Sequence, residues 1–265
     1  MKDFHSRRER RAWYHSLFGA EKYAALQEMV NDSKRIVFFG GAGVSTESGI
    51  PDFRSKDGLY NKPDVQFSDY APEYLLSHDC LFDEPKVFFE FYRQKLDVRA
   101  IEPNVAHYKL AEMEKAGKLS AIVTQNIDGL HEKAGSKTVY NIHGTTFRNY
   151  CTGRPRHDLP ADFIVESKES IPHCPYCGRM VRPDVTLYGE ALPDDAVYGA
   201  VRAIEEADML IIAGTSLTVY PAASFVRYFQ GENLVIINRD ATPMDSEADL
   251  VFHESIGKVL GALEV

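Results

Sequence analysis

Ile36-Val37-Phe38-Phe39-Gly40-Gly41-Ala42-Gly43-Val44-Ser45 decides the fold. Its continuous β-branched and aromatic run reads as a strand buried on both faces, the mark of a parallel sheet. The glycines that follow let the main chain turn tightly and approach a phosphate, with amide N–H groups and a helix N-terminus supplying positive potential. Glycine-rich turns also occur for packing alone. The spacing is not G-x-G-x-x-G, so an ordinary dehydrogenase fingerprint is absent.

Four later runs have the same character: Ala121-Ile122-Val123-Thr124, Val139-Tyr140-Asn141-Ile142, Met209-Leu210-Ile211-Ile212-Ala213 and Leu234-Val235-Ile236-Ile237. Helical patterns lie between several of them. Pro103-Asn104 opens one, with Gly117 at its C-cap, and another runs through residues 196–207. The alternation predicts an α/β fold, a Rossmann-like doubly wound parallel sheet. Residues 56–101, with an aromatic-rich helix over 88–96, and residues 148–183, around three cysteines, interrupt the rhythm. Both read as insertions forming a smaller lobe. The expected division is a helical extension over 1–32 and a catalytic domain over 33–265. The larger lobe takes 33–55, 102–147 and 184–265.

A chain of 265 residues with 44% hydrophobic and 26% charged content suits one large domain with a small lobe. No apolar run approaches the roughly 18 residues of a membrane span, and residues 1–30 lack a signal-peptide stretch. A cytoplasmic enzyme with no membrane partner is the plain reading. The net charge of −9 argues against direct nucleic-acid binding. It suits basic, lysine-containing protein substrates, though ordinary solubility explains it as well. In the extension, Arg7-Arg8-Glu9-Arg10-Arg11 forms a basic cluster, and Tyr14, Leu17, Phe18, Tyr23, Leu26 and Val30 recur at helical spacing.

Polar residues collect where the runs end. Gly49-Ile50-Pro51-Asp52-Phe53-Arg54 is a rigid loop offering a carboxylate, an aromatic wall and a guanidinium. Thr124-Gln125-Asn126-Ile127-Asp128-Gly129-Leu130-His131 follows one strand, and Ile142-His143-Gly144 ends another. Asn126 and Asp128, two apart, point the same way if the segment is extended. Gly214-Thr215-Ser216 and Asn238 follow two more strands, where open α/β sheets bind ligands.

Together these segments resemble the sirtuin family, NAD-dependent protein-lysine deacylases of the transferase class, from about Arg35 to the C-terminus. The resemblance implies NAD held by Gly41, Ala42, Gly43 and Thr46, with Asp52, Phe53 and Arg54 covering it and Phe53 shielding the ribose carbon. It places Gln125, Asn126, Ile127 and Asp128 around the nicotinamide and its ribose, with Asp128 on the carboxamide. Gly214, Thr215, Ser216, Asn238 and Arg239 take the adenosine half. His143, an imidazole with an ordinary pKa near about 6.5, is implied as the base, helped by Asn126 and Asp128. Nicotinamide and O-acyl-ADP-ribose would be the products. A sirtuin-type mono-ADP-ribosyltransferase or NAD glycohydrolase is the alternative, and His143 favours deacylation.

The same resemblance implies an acylated-lysine peptide added as a strand between Val185-Thr186-Leu187-Tyr188-Gly189-Glu190 and the stretch at Leu217. Phe89 and Tyr92 fall where members that remove acidic acyl groups carry Tyr and Arg. Acetyl or longer apolar acyl groups are therefore expected. Cys174-Pro175-Tyr176-Cys177-Gly178 reads as half a zinc ribbon, with Cys151 starting the other half. The position three residues after Cys151 is Arg154, so a fourth ligand is missing. His157 or Asp158 could complete the set, or the lobe holds without metal. Cys80 reads as a packed small hydrophobe.

Overall fold

The computed structural model describes residues 4–53, 58–59 and 65–265. In chain order the elements are α1 (Arg7–His15), α2 (Gly19–Asp32), β1 (Ile36–Gly40), α3 (Pro72–Leu75), α4 (His78–Asp83), α5 (Pro85–Lys95), α6 (Val105–Lys115), β2 (Leu119–Thr124) and α7 (Leu130–Lys133). There follow β3 (Val139–Asn141), β4 (Gly144–Cys151), β5 (Asp158–Leu159), α8 (Phe163–Glu166), β6 (Val181–Val185), α9 (Asp194–Glu205), β7 (Met209–Ala213), β8 (Asn233–Ile237), β9 (Leu250–Phe252) and α10 (Ile256–Gly261).

Six strands form one sheet in the order β3-β2-β1-β7-β8-β9, every neighbouring pair parallel. Every residue of β1 and β7 is buried. Alternation along β1 sends Phe38 into a core with Leu26 of α2, Leu110 of α6 and Leu260 of α10. Phe39 points the other way, into a core with Ile204 of α9 and Phe225. The chain leaves β1 toward β2 on one side and later returns to β7 on the other. Their carboxyl ends therefore open a crevice at the topological switch point. The edge strand β9 was not legible as an apolar run.

The smaller lobe wraps α3, α4, α5 and α8 around a three-stranded antiparallel sheet, β5-β4-β6. This sheet begins at Gly144 and ends at Val185, a few residues outside the expected 148–183 insertion. Residues 185–190 leave β6 at Val185 and are stitched to the α3–α4 turn. Tyr188 N donates to Leu76 O at 3.0 Å, and His78 N to Tyr188 O at 2.9 Å. The N-terminal extension is two helices. Lys118 Nζ caps the C-terminus of α2 by donating to Asn31 O at 2.7 Å. No helix among the described residues is long and apolar enough to cross a membrane.

Beneath the sheet end, His107 and His131 face each other with ring centroids 4.8 Å apart, both buried. Among the described residues, neither His131 ring nitrogen nor His107 Nε2 has a hydrogen-bond partner. Burial lowers the pKa of His107 to about 4 and, with repulsion from His107, that of His131 well below its ordinary value. Both rings are neutral at pH 7. Below about pH 6.5 the unfolded chain takes up protons that the folded rings refuse, so stability falls by about 1.4 kcal/mol per pH unit for each imidazole until its folded pKa is reached. Denaturant unfolding between pH 7.5 and 5 should therefore show His131→Leu losing less stability on acidification than the parent, by about 1.4 kcal/mol per unit below about pH 6.5. Parallel curves would contradict the neutral buried pair.

Candidate active site

The carboxyl ends of β1, β2, β7 and β8 and the segment after β6 enclose a cavity of about 440 Å³. Its floor is glycine because two main chains touch there. Gly41 N donates to Ala213 O at 3.1 Å and Gly43 N to Gly214 O at 2.9 Å. A Cβ on Gly43 would stand 2.7 Å from Gly214 Cα, and one on Gly214 2.5 Å from Val44 N. Gly214 also has φ 61°, the left-handed region that favours glycine. Ala42, Gly43 and Thr46 line the cavity on one side, with Gly41 behind them. Gly214, Thr215 and Ser216 line it opposite, with Asn238 and Arg239 beyond. Gln125 Nε2 bridges the two sides by donating to Thr215 Oγ1 at 3.1 Å. Asp52 and Phe53 form part of the wall, and Arg54 lies outside the described residues.

Beyond β2 the chain is irregular, yet the amide and carboxylate expected to converge do so through a third residue. Ser45 Oγ donates to Asp128 Oδ2 at 2.6 Å and accepts from Asn126 Nδ2 at 3.0 Å. Leu130 N donates to Asp128 Oδ1 at 3.0 Å. Burial pushes the Asp128 carboxyl up, against the pull of the Ser45, Leu130 and Asn126 donors. Asn126 and Ile127 line the cavity, whereas Asp128 is buried behind that wall and reaches Asn126 through Ser45. Ser45 was visible in the glycine segment, but its partners are 81 and 83 residues away. Only the fold reveals the triad.

His143 sits in the turn between β3 and β4, on the cavity wall. Its Nδ1 lies 2.9 Å from Gln125 O. A carbonyl only accepts, so Nδ1 carries a proton, and in the neutral ring the lone pair is on Nε2. Gly144 follows with φ 74°, and a Cβ there would meet Asp184 O at 2.0 Å. Thr186 N donates to His143 O at 2.9 Å, joining the histidine to the lobe.

Val185, Leu187, Tyr188, Gly189 and Glu190 make the lobe-side wall. Glu190 is gripped from behind by Arg182, whose Nη2 lies 2.8 Å from Oε2, and it accepts from Leu187 N at 2.9 Å. Burial would raise this carboxyl, but Arg182 and the Leu187 N–H together hold it below the usual range. Three expected side chains are elsewhere. Leu217 has φ 56° and buries its side chain in the sheet core. Phe89 and Tyr92 are buried in the lobe core and do not line the cavity. With Phe88 and Phe91 they make one apolar face of α5, and burial of that face draws all four inward.

The cysteine lobe holds the fourth partner that the spacing lacked. Sγ of Cys151, Cys174 and Cys177 and a ring nitrogen of His157 all lie within 4.8 Å of one another. His157 Nδ1 is 3.4 Å from Cys151 Sγ and 3.6 Å from Cys174 Sγ, and Cys177 Sγ is 3.7 Å from Cys151 Sγ. A tetrahedral site with arms of about 2.0–2.3 Å has edges of about 3.5–3.8 Å, so these donors fit a zinc ion. Burial raises the Cys151 thiol, but N–H donors from His157 and Gly153, with the His157 ring and Cys177, bring it down to about 6. β5 returns His157 to this place: it pairs with β4, and Cys151 N donates to His157 O at 3.0 Å. Arg156 stacks 3.7 Å above the Tyr150 ring and closes the loop.

The Sir2 family model matches residues 41–221. This chain belongs to the Sir2 family. It is 54% identical over 240 residues to an NAD-dependent protein deacetylase of Clostridium acetobutylicum, covering 91% of this chain and 97% of that protein. A protein of the same name from Clostridium perfringens is 54% identical over 243 residues, covering 91% and 98%. Among solved structures, a Sir2 complex with p53 peptide and NAD+ superposes with TM-score 0.78 at 34% identity over 89% of this chain and 95% of that one. Sir2 bound to acetylated peptide gives TM-score 0.79 at 33% identity, covering 91% and 96%.

Proposed function

We propose that the cavity removes acetyl and other apolar acyl groups from protein lysines at the expense of NAD, yielding nicotinamide and O-acyl-ADP-ribose. One observation carries the reading: an imidazole with its proton fixed on Nδ1 faces a cavity whose floor is a glycine cradle and whose far wall is a peptide-edge segment. The cradle suits NAD because Ala42 and Gly43 on one side and Gly214, Thr215 and Ser216 on the other line the cavity with little side-chain bulk. Gly41, Ala42, Gly43 and Thr46 would hold the diphosphate, and Gly214, Thr215, Ser216, Asn238 and Arg239 the adenosine half. Asp52, Phe53, Gln125, Asn126 and Ile127 would surround the nicotinamide riboside. When bound, NAD supplies a ribose carbon carrying a good leaving group.

The chain's own residues then do ordinary work. Gln125 O keeps the His143 ring turned so that Nε2 accepts a proton from a ribose hydroxyl. Asn126, fixed by Ser45, orients the reacting groups, and Asp128 holds Ser45 from behind. Main-chain groups at Gly189, beyond the Tyr188 pairing, and at the stretch of Leu217 would receive the peptide as an added strand, which favours affinity over sequence selectivity. The apolar side chains of Leu76, Val185 and Leu187 on the wall suit an uncharged acyl group, and the Arg182 guanidinium is engaged by Glu190. Free cysteines throughout suit a reducing compartment such as the cytoplasm.

Purified protein incubated with NAD and an acetyl-lysine peptide, followed by mass spectrometry, should give deacetylated peptide and O-acetyl-ADP-ribose. His143→Ala should slow this by at least about 100-fold. Undiminished deacetylation in that variant would remove the base assignment, and ADP-ribose appearing on protein instead of peptide deacetylation would replace the reaction with group transfer. We further assign zinc to Cys151, His157, Cys174 and Cys177, where a closed four-ligand site would staple the lobe. Elemental analysis should find about one zinc per chain, and His157→Ala should lower both zinc content and melting temperature. Zinc-free protein with an unchanged melting temperature would refute the assignment.

A further inference from the structure

Residues 7–11 place four guanidiniums together in a chain of net charge −9. They lie in α1, outside the residues 41–221 matched by the family model. The helix is pinned to the amino end of β8 and the lead into β9 by neutral main-chain oxygens. Arg7 Nη2 donates to Gly231 O at 2.6 Å, Arg10 Nη1 to Glu232 O at 2.9 Å and Arg11 Nη1 to Ser246 O at 3.1 Å. His15 Nε2 donates to Ala248 O at 2.8 Å. Among the described residues no carboxylate forms an ion pair with Arg7, Arg8, Arg10 or Arg11. Glu9, the acidic residue of this helix, accepts from the main chain of His5 and Ser6 Oγ accepts from Glu9 N, so its role is local capping. The carbonyls use one or two of the five N–H donors of each bound guanidinium and leave its charge uncompensated.

Arg7, Arg11 and His15, spaced by four, share one face of α1. With Arg8, Ala12 and Ser246 they surround a hollow of about 420 Å³. Arg11 Nε is shielded from solvent without a hydrogen-bond partner, and Arg8 projects exposed. We propose that this hollow binds a phosphate-bearing anion of diphosphate size. Planar guanidinium forks match phosphate oxygens, and three of them lining one hollow exceed what one carboxylate would satisfy. The volume is that of a small-ligand site. It lies at the amino ends of the strands, away from the carboxyl ends that form the catalytic cavity, so occupancy of one leaves the other open.

The test is calorimetric titration of inorganic pyrophosphate into the full chain saturated with NAD, which keeps the catalytic cradle filled. An NAD-insensitive binding event is expected, weakening as salt rises from about 50 to 200 mM. Arg8→Glu should weaken it about tenfold or more, with Arg8→Ala intermediate. Arg8 has no contact whose loss would unfold the helix, and an unchanged melting temperature in both variants verifies this. ADP binding as tightly as pyrophosphate would identify a nucleotide as the source, and pyrophosphate alone the free anion. The proposal falls if no NAD-insensitive event exists, or if both variants bind like the parent. It also falls if a DNA duplex, and not pyrophosphate, binds in a manner sensitive to Arg8. None of these readouts uses deacylation, so the catalytic reading stands or falls separately.

Discussion

Main chain against main chain at Gly43 and Gly214 is the contact on which the site depends. At 2.9 Å between Gly43 N and Gly214 O, neither position has room for a Cβ. The loops leaving β1 and β7 are thereby locked together at the switch point of the sheet. Other contacts follow from that lock. Ser45, two residues beyond Gly43, reaches Asn126 and Asp128, while Thr215, one beyond Gly214, meets Gln125. The carbonyl of Gln125 then orients His143, and the main chain of His143 holds the lobe through Thr186. A substitution at the glycine contact would be felt along this whole series.

Burial gives the series its rigidity. Asn126, Asp128 and Ser45 are removed from water, and each satisfies another, so turning any one of them leaves an unpaired group in a poorly solvated place. The lobe wall uses the same device at Arg182 and Glu190, where the loss of solvation is offset by a two-pronged ion pair. This arrangement pairs the wall's carboxylate from behind while holding the wall's main chain in shape. The cysteine cluster is set against the lobe core that carries that wall, since Cys151 and Cys174 pack with Val181 and Leu187.

Much of this was legible in the residues. Continuous apolar runs at 36–39, 121–124, 209–213 and 234–237 became central strands because a parallel sheet covered on both faces admits little else. β9 escaped notice because three residues next to Asp249 make no run. Residues 185–190 alternate weakly, as a strand would, yet backbone pairing with Leu76 and His78 bends them away from β6. Strand-end polar residues were found because ligands bind there, but their partners were not, since hydrogen bonds across more than 80 positions exist only once the sheet is built. His157 was one of two candidates at an irregular spacing, and the β5 pairing selects it over Asp158. Counting along α5 gave the positions of Phe89 and Tyr92 without the direction in which they face.

The orientation of one ring is the most exposed claim. Long-range proton–nitrogen correlation spectra of His143 at pH 8 report which ring nitrogen carries the proton. Hydrogen bonding to Gln125 O requires a protonated Nδ1, so a neutral ring carries no proton on Nε2. A neutral ring with its proton on Nε2 would contradict the assignment of His143 as the proton acceptor of the cavity.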